Sequence, residues 1–251
     1  YLWIGTFSGL ARFDGIEFKV FDNGNTAEIK HNHFSSMLND AAGTLWLGTN
    51  GGGVYRLKDG VFSSFSTKEG LSNDFVRAMC LDGRGNIWVG TEGGGLNCLS
   101  TDSGTPRCTI YRMKQGLAND KVRSLYADRH GMIWIGTSDG GLSRFDPATG
   151  VFTNYTIKDG LPDNTIYAVQ EDSRGKLLIG TGRGLCEFED GHFKTYPETS
   201  KEVIRTIYLD KKNNLWIGTD GGGLARLDHG QFEVYTTRDG LSNNFVRTLY
   251  E

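Results

Sequence analysis

The tetrapeptide Trp-(Ile/Leu/Val)-Gly-Thr begins at Trp3, Trp46, Trp88, Trp134 and Trp216, and a variant, Leu178-Ile179-Gly180-Thr181, fills the gap between the last two. A chain that restarts roughly every 43 residues has the period of four-stranded units that stack on their neighbours. The fourth copy shows what one unit contains. Four short runs rich in β-branched and aromatic residues, Val122 to Ala127, Met132 to Thr137, Leu142 to Asp146 and Phe152 to Thr156, read as strands. Between them lie Asp128-Arg129-His130-Gly131, Ser138-Asp139-Gly140-Gly141 and Pro147-Ala148-Thr149-Gly150, which carry turn chemistry. No segment sustains a helical period, and this excludes helical repeats.

A lone antiparallel meander cannot bury both of its faces, whereas sheets stacked radially about an axis can. The repeat therefore predicts an all-β fold, a β-propeller of six four-stranded blades. The five tryptophans, and Leu178 in their place in blade five, are expected to wedge between blades, because one buried Trp removes about 150–250 Å² from water. The 36 glycines, against only 4 prolines, read as turn residues. The chain opens on a second strand, Leu2 to Thr6, and closes on a first strand, Phe245 to Tyr250. Pairing of the N- and C-terminal strands would close the ring, with blade one shared between 1–22 and 245–251 and the whole of 1–251 forming one domain. The alternative is part of a seven-bladed or longer array.

Composition removes several partners. A net charge of −3 without any Lys/Arg block lacks the footprint of a nucleic-acid binder. No apolar run approaches the eighteen or so residues that a membrane span needs, and the first residues already belong to the repeat, so no signal peptide is expected within this chain. Cys80, Cys98, Cys108 and Cys186 fit neither a disulfide scaffold nor a zinc pattern. Repeat alignment puts Leu99 rather than Cys98 opposite Cys108, so no bridge is expected there. His31 and His33 lack a carboxylate or cysteine at matching spacing, which argues against a metal, and no cofactor is expected.

The stretches Asp128 to Thr137, Gly140 to Leu142 and Asp159 to Asn164 reproduce Asp-x-x-Gly-x-Leu-Trp-Ile-Gly-Thr, Gly-Gly-Leu and Asp-Gly-Leu-x-x-Asn. In these residues, and over its whole length, the chain resembles the two-component regulator propeller repeat family. The resemblance implies a periplasmic sensor region of a hybrid two-component or related bacterial receptor, an oligosaccharide as the sensed ligand, and kinase or cyclase modules outside this chain. Sensors of the family string more repeats than six, which implies a portion of a receptor or a smaller relative.

Departures from the repeat point to where a ligand would sit, since function gathers on loops held by a rigid scaffold. The link Asp22 to His33 is long and the link Glu198 to Glu202 short; the inner turns Phe7-Ser8-Gly9 and Gly182-Arg183-Gly184 are also short. Arg77, Arg123, Arg205 and Arg247 follow the opening apolar residue of their first strands, with Tyr167 and Ser35 at the same place in blades five and two. These arginines would form a positive ring suited to carboxylate or sulfate groups, or each would pair with an acid of an adjacent link. With every Trp assigned to packing, the candidate ligand-binding residues are Phe7, Tyr167, Arg183, Arg205 and Arg247. No catalytic motif stands out, so a non-enzymatic sensor is expected. The alternatives are a protein-interaction or homodimerisation platform, and a polysaccharide lyase or hydrolase, which needs a clustered acid and base.

Overall fold

The computed structural model describes residues 1–100, 107–228 and 231–251. Among these no α-helix forms, and six antiparallel sheets follow one another: sheet one in 2–21, sheet two in 34–65, sheet three in 76–111, sheet four in 122–155, sheet five in 166–195 and sheet six in 204–235. Sheets two to six each hold four strands in sequential order. The strands of the fourth copy, Val122–Ala127, Ile133–Thr137, Leu142–Asp146 and Val151–Tyr155, lie within one residue of the bounds expected from sequence.

Sheet one holds three strands, Leu2–Gly5, Leu10–Phe13 and Phe18–Phe21. The expected closing strand, Phe245 to Tyr250, does not form: Phe245 makes a single bridge to Asp220, and no strand follows it. Val246 makes the bond to the preceding sheet that opens a first strand elsewhere: its N–H donates to the Thr219 carbonyl at 2.9 Å, as that of Phe34 does to the Thr6 carbonyl at 3.0 Å. Closure by pairing of the two chain ends therefore stays a proposal. The chain packs as two compact units, 1–127 and 128–251.

The second strands Leu45–Thr49, Ile87–Thr91, Ile133–Thr137 and Leu177–Thr181 are buried at every position. Burial of successive side chains, which point to opposite faces, requires cover on both sides of the sheet. Within the first unit the cover comes from clusters such as Trp46, Leu71, Val76, Ile87 and Val89; within the second, from Leu178, Leu185, Ile204, Ile207 and Ile217.

The glycine of Trp-x-Gly-Thr corrects the reading of all glycines as turn residues. A Cβ added to Gly48 would lie 2.6 Å from Val76 Cγ1, and one on Gly180 would lie 2.7 Å from Ile204 Cγ2. A bare backbone here admits the first strand of the following sheet, so this glycine is a packing residue.

Four of the five motif tryptophans are also held by an Asp six residues before them. The indole Nε1 of Trp46, Trp88, Trp134 and Trp216 donates to Oδ2 of Asp40, Asp82, Asp128 and Asp210 at 2.9, 2.9, 2.8 and 2.9 Å. The other oxygen of the same Asp accepts two backbone N–H groups of its turn, as Asp82 Oδ1 does from Arg84 and Asn86. One carboxylate thus ties the tight turn to the packing residue. Guanidinium carbons of Arg12, Arg56, Arg144 and Arg226 lie 5.9, 5.7, 5.8 and 5.8 Å from the ring centres of Trp3, Trp46, Trp134 and Trp216, within cation–π reach. In sheet five Leu178 replaces the Trp and its cross-strand partner becomes Glu187. That carboxylate accepts from Tyr196 OH at 2.7 Å and Lys176 Nζ at 3.1 Å, with Lys194 Nζ at 3.3 Å. The loss of the aromatic–cation pair is matched by a buried polar cluster.

Candidate functional site

The inner turns and the links between sheets are built on short polar side chains that cap their own backbone. Asp74, Asp120, Asn164 and Asn244 accept the N–H of Thr67, Met113, Ile157 and Thr237 at 2.7, 2.8, 3.0 and 2.8 Å. Their neighbours Asn73, Asn119, Asp163 and Asn243 accept the N–H two residues on. Such local bonds hold the loops without help from a ligand.

Two of the four opening arginines, Arg77 and Arg205, are anchored on acids. Arg77 Nε donates to Glu92 Oε2 at 2.9 Å, and Arg205 Nε donates to Asp220 Oδ2 at 3.1 Å, with Arg205 Nη2 on the same oxygen. The acids lie on the inner turn of the same sheet, fifteen residues on, and not on a link as the sequence suggested. A paired guanidinium loses much of its reach as a lone positive charge, yet it presents N–H donors beside a carboxylate acceptor.

In the second unit the structure brings three of the expected residues close to acids or to one another. The Arg205 guanidinium lies 4.2 Å from the centre of the Tyr167 ring, so these two form one stacked group with Asp220. Arg183 is 76% exposed, with Nε 3.6 Å from Asp163 Oδ2. Arg247 is exposed and has no ion-pair partner among the described residues. Phe7 belongs to the first unit, 71% exposed, where its ring lies tilted 4.3 Å from that of His33.

The two link histidines are occupied locally. His33 Nδ1 lies 3.2 Å from Asn50 Nδ2, and burial, then the nearby Arg77 charge, lower its pKa. His31 packs over the Gly51–Gly52 turn, where a Cβ on Gly52 would lie 2.9 Å from its Cδ2. Among the described residues no three His, Cys, Asp or Glu converge as a metal site. The cysteines are all free, and Leu99 pairs with Cys108 in the register. Burial pushes the thiols of Cys98 and Cys186 up to about 12 and that of Cys108 up to about 11, which leaves them poor nucleophiles.

Sequence reasoning missed the Glu187–Tyr196–Lys176 cluster and the Asp–Trp clamp. The signal for the first is the exchange of Trp for Leu178 together with Arg for Glu187; for the second it is the recurring interval of six residues.

Residues 28–51, 70–93, 116–139, 160–183 and 199–221 match the two component regulator propeller repeat. No curated protein matches the chain. Among solved structures it is similar to the extracellular domain of the hybrid two component system BT3049 from B. thetaiotaomicron, with 23% identity and a TM-score of 0.87, over 99% of this chain and 35% of that one. It is also similar to PorZ, a bacterial surface component of the type-IX secretion system of Porphyromonas gingivalis, with 18% identity, a TM-score of 0.74 and coverage of 96% and 40%. A third likeness is to virginiamycin B lyase from Staphylococcus aureus, with 14% identity, a TM-score of 0.75 and coverage of 93% and 79%. The chain thus spans about a third of the length of the first of these. At such identities the likenesses establish the fold, a β-propeller, while the matched repeats carry the kinship. The chain belongs to the two-component regulator propeller family.

Proposed function

We propose that the chain is a non-enzymatic ligand-binding propeller in the periplasmic sensor region of a bacterial signal-transduction receptor, with kinase or cyclase modules elsewhere in the same protein. The observation that carries this reading is the run of regulator propeller repeats from residue 28 to 221. The likeness to an extracellular domain of a hybrid two component system supports it. No helix among the described residues is long and apolar enough to cross a membrane. The lyase likeness makes an enzyme the natural rival. Against it, the most buried carboxylates are committed to structure: Asp82 to its turn and Trp88, Glu171 to Arg129, and Glu187 to Lys176 and Tyr196.

The ligand is an oligosaccharide bound on the face of the Gly-rich turns in the second unit, at Tyr167, Arg183 and Arg205. Tyr167 offers an aromatic surface, the Arg205–Asp220 pair offers donors and an acceptor to sugar hydroxyls, and exposed Arg183 offers charge to an acidic group. Calorimetry of the chain against neutral and acidic oligosaccharides tests this. Binding is expected to weaken in Arg205→Ala, and binding of the acidic sugars to weaken in Arg183→Ala and as salt rises. Binding untouched by both substitutions would remove this site, and no binding across the panel would favour a protein-interaction role.

A further inference from the structure

Each link that leads into a sheet of the first unit drops one aliphatic side chain into the space below the inner turns: Ile29 ahead of sheet two and Leu71 ahead of sheet three, both buried. A residue on the third strand then supports the link from beneath. Tyr55 OH accepts the N–H of Lys30 at 2.8 Å, and Asn97 Oδ1 accepts the N–H of Ser72 at 2.9 Å. Buried Leu161 shows that the second unit uses the same plug ahead of sheet five.

Ahead of sheet six both parts are missing. Tyr196 and Ile204 stand eight residues apart, where their counterparts Phe65 and Val76 stand eleven apart, and the shortened link offers only Thr199 in place of the aliphatic plug. The hydroxyl of Thr199 is already spent, donating to the Tyr196 carbonyl at 2.8 Å and accepting the N–H of Leu185 on the third strand of sheet five at 2.9 Å. The supporting position holds Ala225, which pairs with Ile217 as Tyr55 pairs with Leu47 and Asn97 with Val89. The result is a cavity of about 410 Å³, walled by Ile204, Ile217, Ala225 and Phe232 and by Thr199, Glu198 and Glu202 of the link. This volume is in the range of small-molecule sites, about 300–1,000 Å³.

The charge at the cavity is of one sign. Glu198 and Glu202 have no hydrogen-bond or ion-pair partner for their carboxylates among the described residues. The Glu202 carboxylate lies over Gly222, in space that a Cβ there would fill. Thr219, the other hydroxyl of the wall, donates to the Gly223 carbonyl at 2.8 Å. The cavity therefore combines an apolar body with unmet anionic acceptors at its rim.

We propose that this cavity is a second binding site, distinct from the Tyr167–Arg205 group, for a small organic cation: an ammonium group on an aliphatic or aromatic stem, the stem against Ile204, Ile217 and Phe232 and the ammonium at Glu202 and Glu198. Carboxylates accept charge-assisted hydrogen bonds from such a head, whereas an alcohol offers them only a neutral donor and an anionic head of the same size is repelled by them.

The test titrates the full chain with n-hexylamine, n-hexanol and n-hexanoate at neutral pH, followed by amide chemical shifts. Hexylamine is expected to bind at least about tenfold more tightly than either isostere, with shifts centred on Ile204, Ile217 and Ala225. Glu202→Gln, at a half-buried position, is expected to weaken hexylamine about tenfold and leave hexanol unchanged. Ala225→Leu restores bulk of the kind that Tyr55 and Asn97 supply and is expected to abolish binding of all three. Equal binding of hexanoate, shifts elsewhere, or hexylamine binding unmoved by Glu202→Gln would each overturn the proposal. Because the probes are not sugars, failure here leaves the oligosaccharide titration to be judged separately.

Discussion

Replacing Trp134 by Ala removes the packing residue of the fourth copy together with the donor that satisfies Asp128. Trp134 is 3% exposed; its ring lies 5.5 Å from that of Phe188 and 6.2 Å from that of Tyr155, under the guanidinium of Arg144. Truncating a buried Trp costs about 3–5 kcal/mol. At about 2–4 °C per kcal/mol for a chain of this size, Tm should fall by about 6–20 °C. Trp134→Phe separates the two contributions. It keeps an aromatic ring against Phe188 and Tyr155 but leaves Asp128 Oδ2 without its indole donor, for a loss of about 1–3 kcal/mol. Thermal unfolding followed by circular dichroism and by calorimetry reads both. A fall of only a degree or two for the Ala variant would mean that the tryptophans do not hold the sheets together, and the packing argument would fail.

Acid should unfold the chain through its clamped carboxylates. Burial raises the pKa of Asp40, Asp82 and Asp210, but the indole and backbone donors around each, with the Thr44 side chain at Asp40 and an Asn amide at Asp82 and Asp210, outweigh it and hold all three low, Asp210 at about 2. A folded pKa below the unfolded one gives stability that is present above about pH 4 and lost as pH falls through the folded value. Tm should therefore stay level from pH 7 to 5 and drop steeply below 4, and a level Tm down to pH 2.5 would contradict this. Gly90→Ala places a methyl group against Val122 and should cost about 1–3 kcal/mol of stability, read from urea unfolding. Cys98, Cys108 and Cys186, with thiols pushed up by burial, should resist iodoacetamide at pH 8 in the native state and react fully in urea, as read by mass spectrometry. Glu187→Gln removes the charge that Lys176 and Tyr196 share and should cost about 1–3 kcal/mol.

The six sheets were legible because the same punctuation recurs. Trp-x-Gly-Thr, or Leu-Ile-Gly-Thr in sheet five, marks each second strand, and an Asp with a positive-φ Gly three residues on, such as Asp82 and Gly85 at φ +84°, marks the turn before it. Strand pairing and turn chemistry are local and repeat with the sequence. What the sequence left open depends on what faces what across a sheet. The Arg205–Asp220 and Arg77–Glu92 pairs cross from a first strand to an inner turn, and only their shared interval of fifteen residues hints at them. The cavity ahead of sheet six needs two changes to coincide, a link shortened around Thr199 and a small Ala225. Each is visible alone, but a void appears only when both are placed in three dimensions. The last segment, 245–251, has the pattern of a first strand, yet pattern alone does not supply the neighbour that makes a strand.

The central claim, that this propeller senses for a receptor, is tested most directly by determining the complete reading frame that encodes it. The account predicts a membrane-spanning segment and, on its far side, a histidine kinase or cyclase module. A frame that ends without a span, or that places a hydrolase or lyase domain beside the propeller, would contradict it.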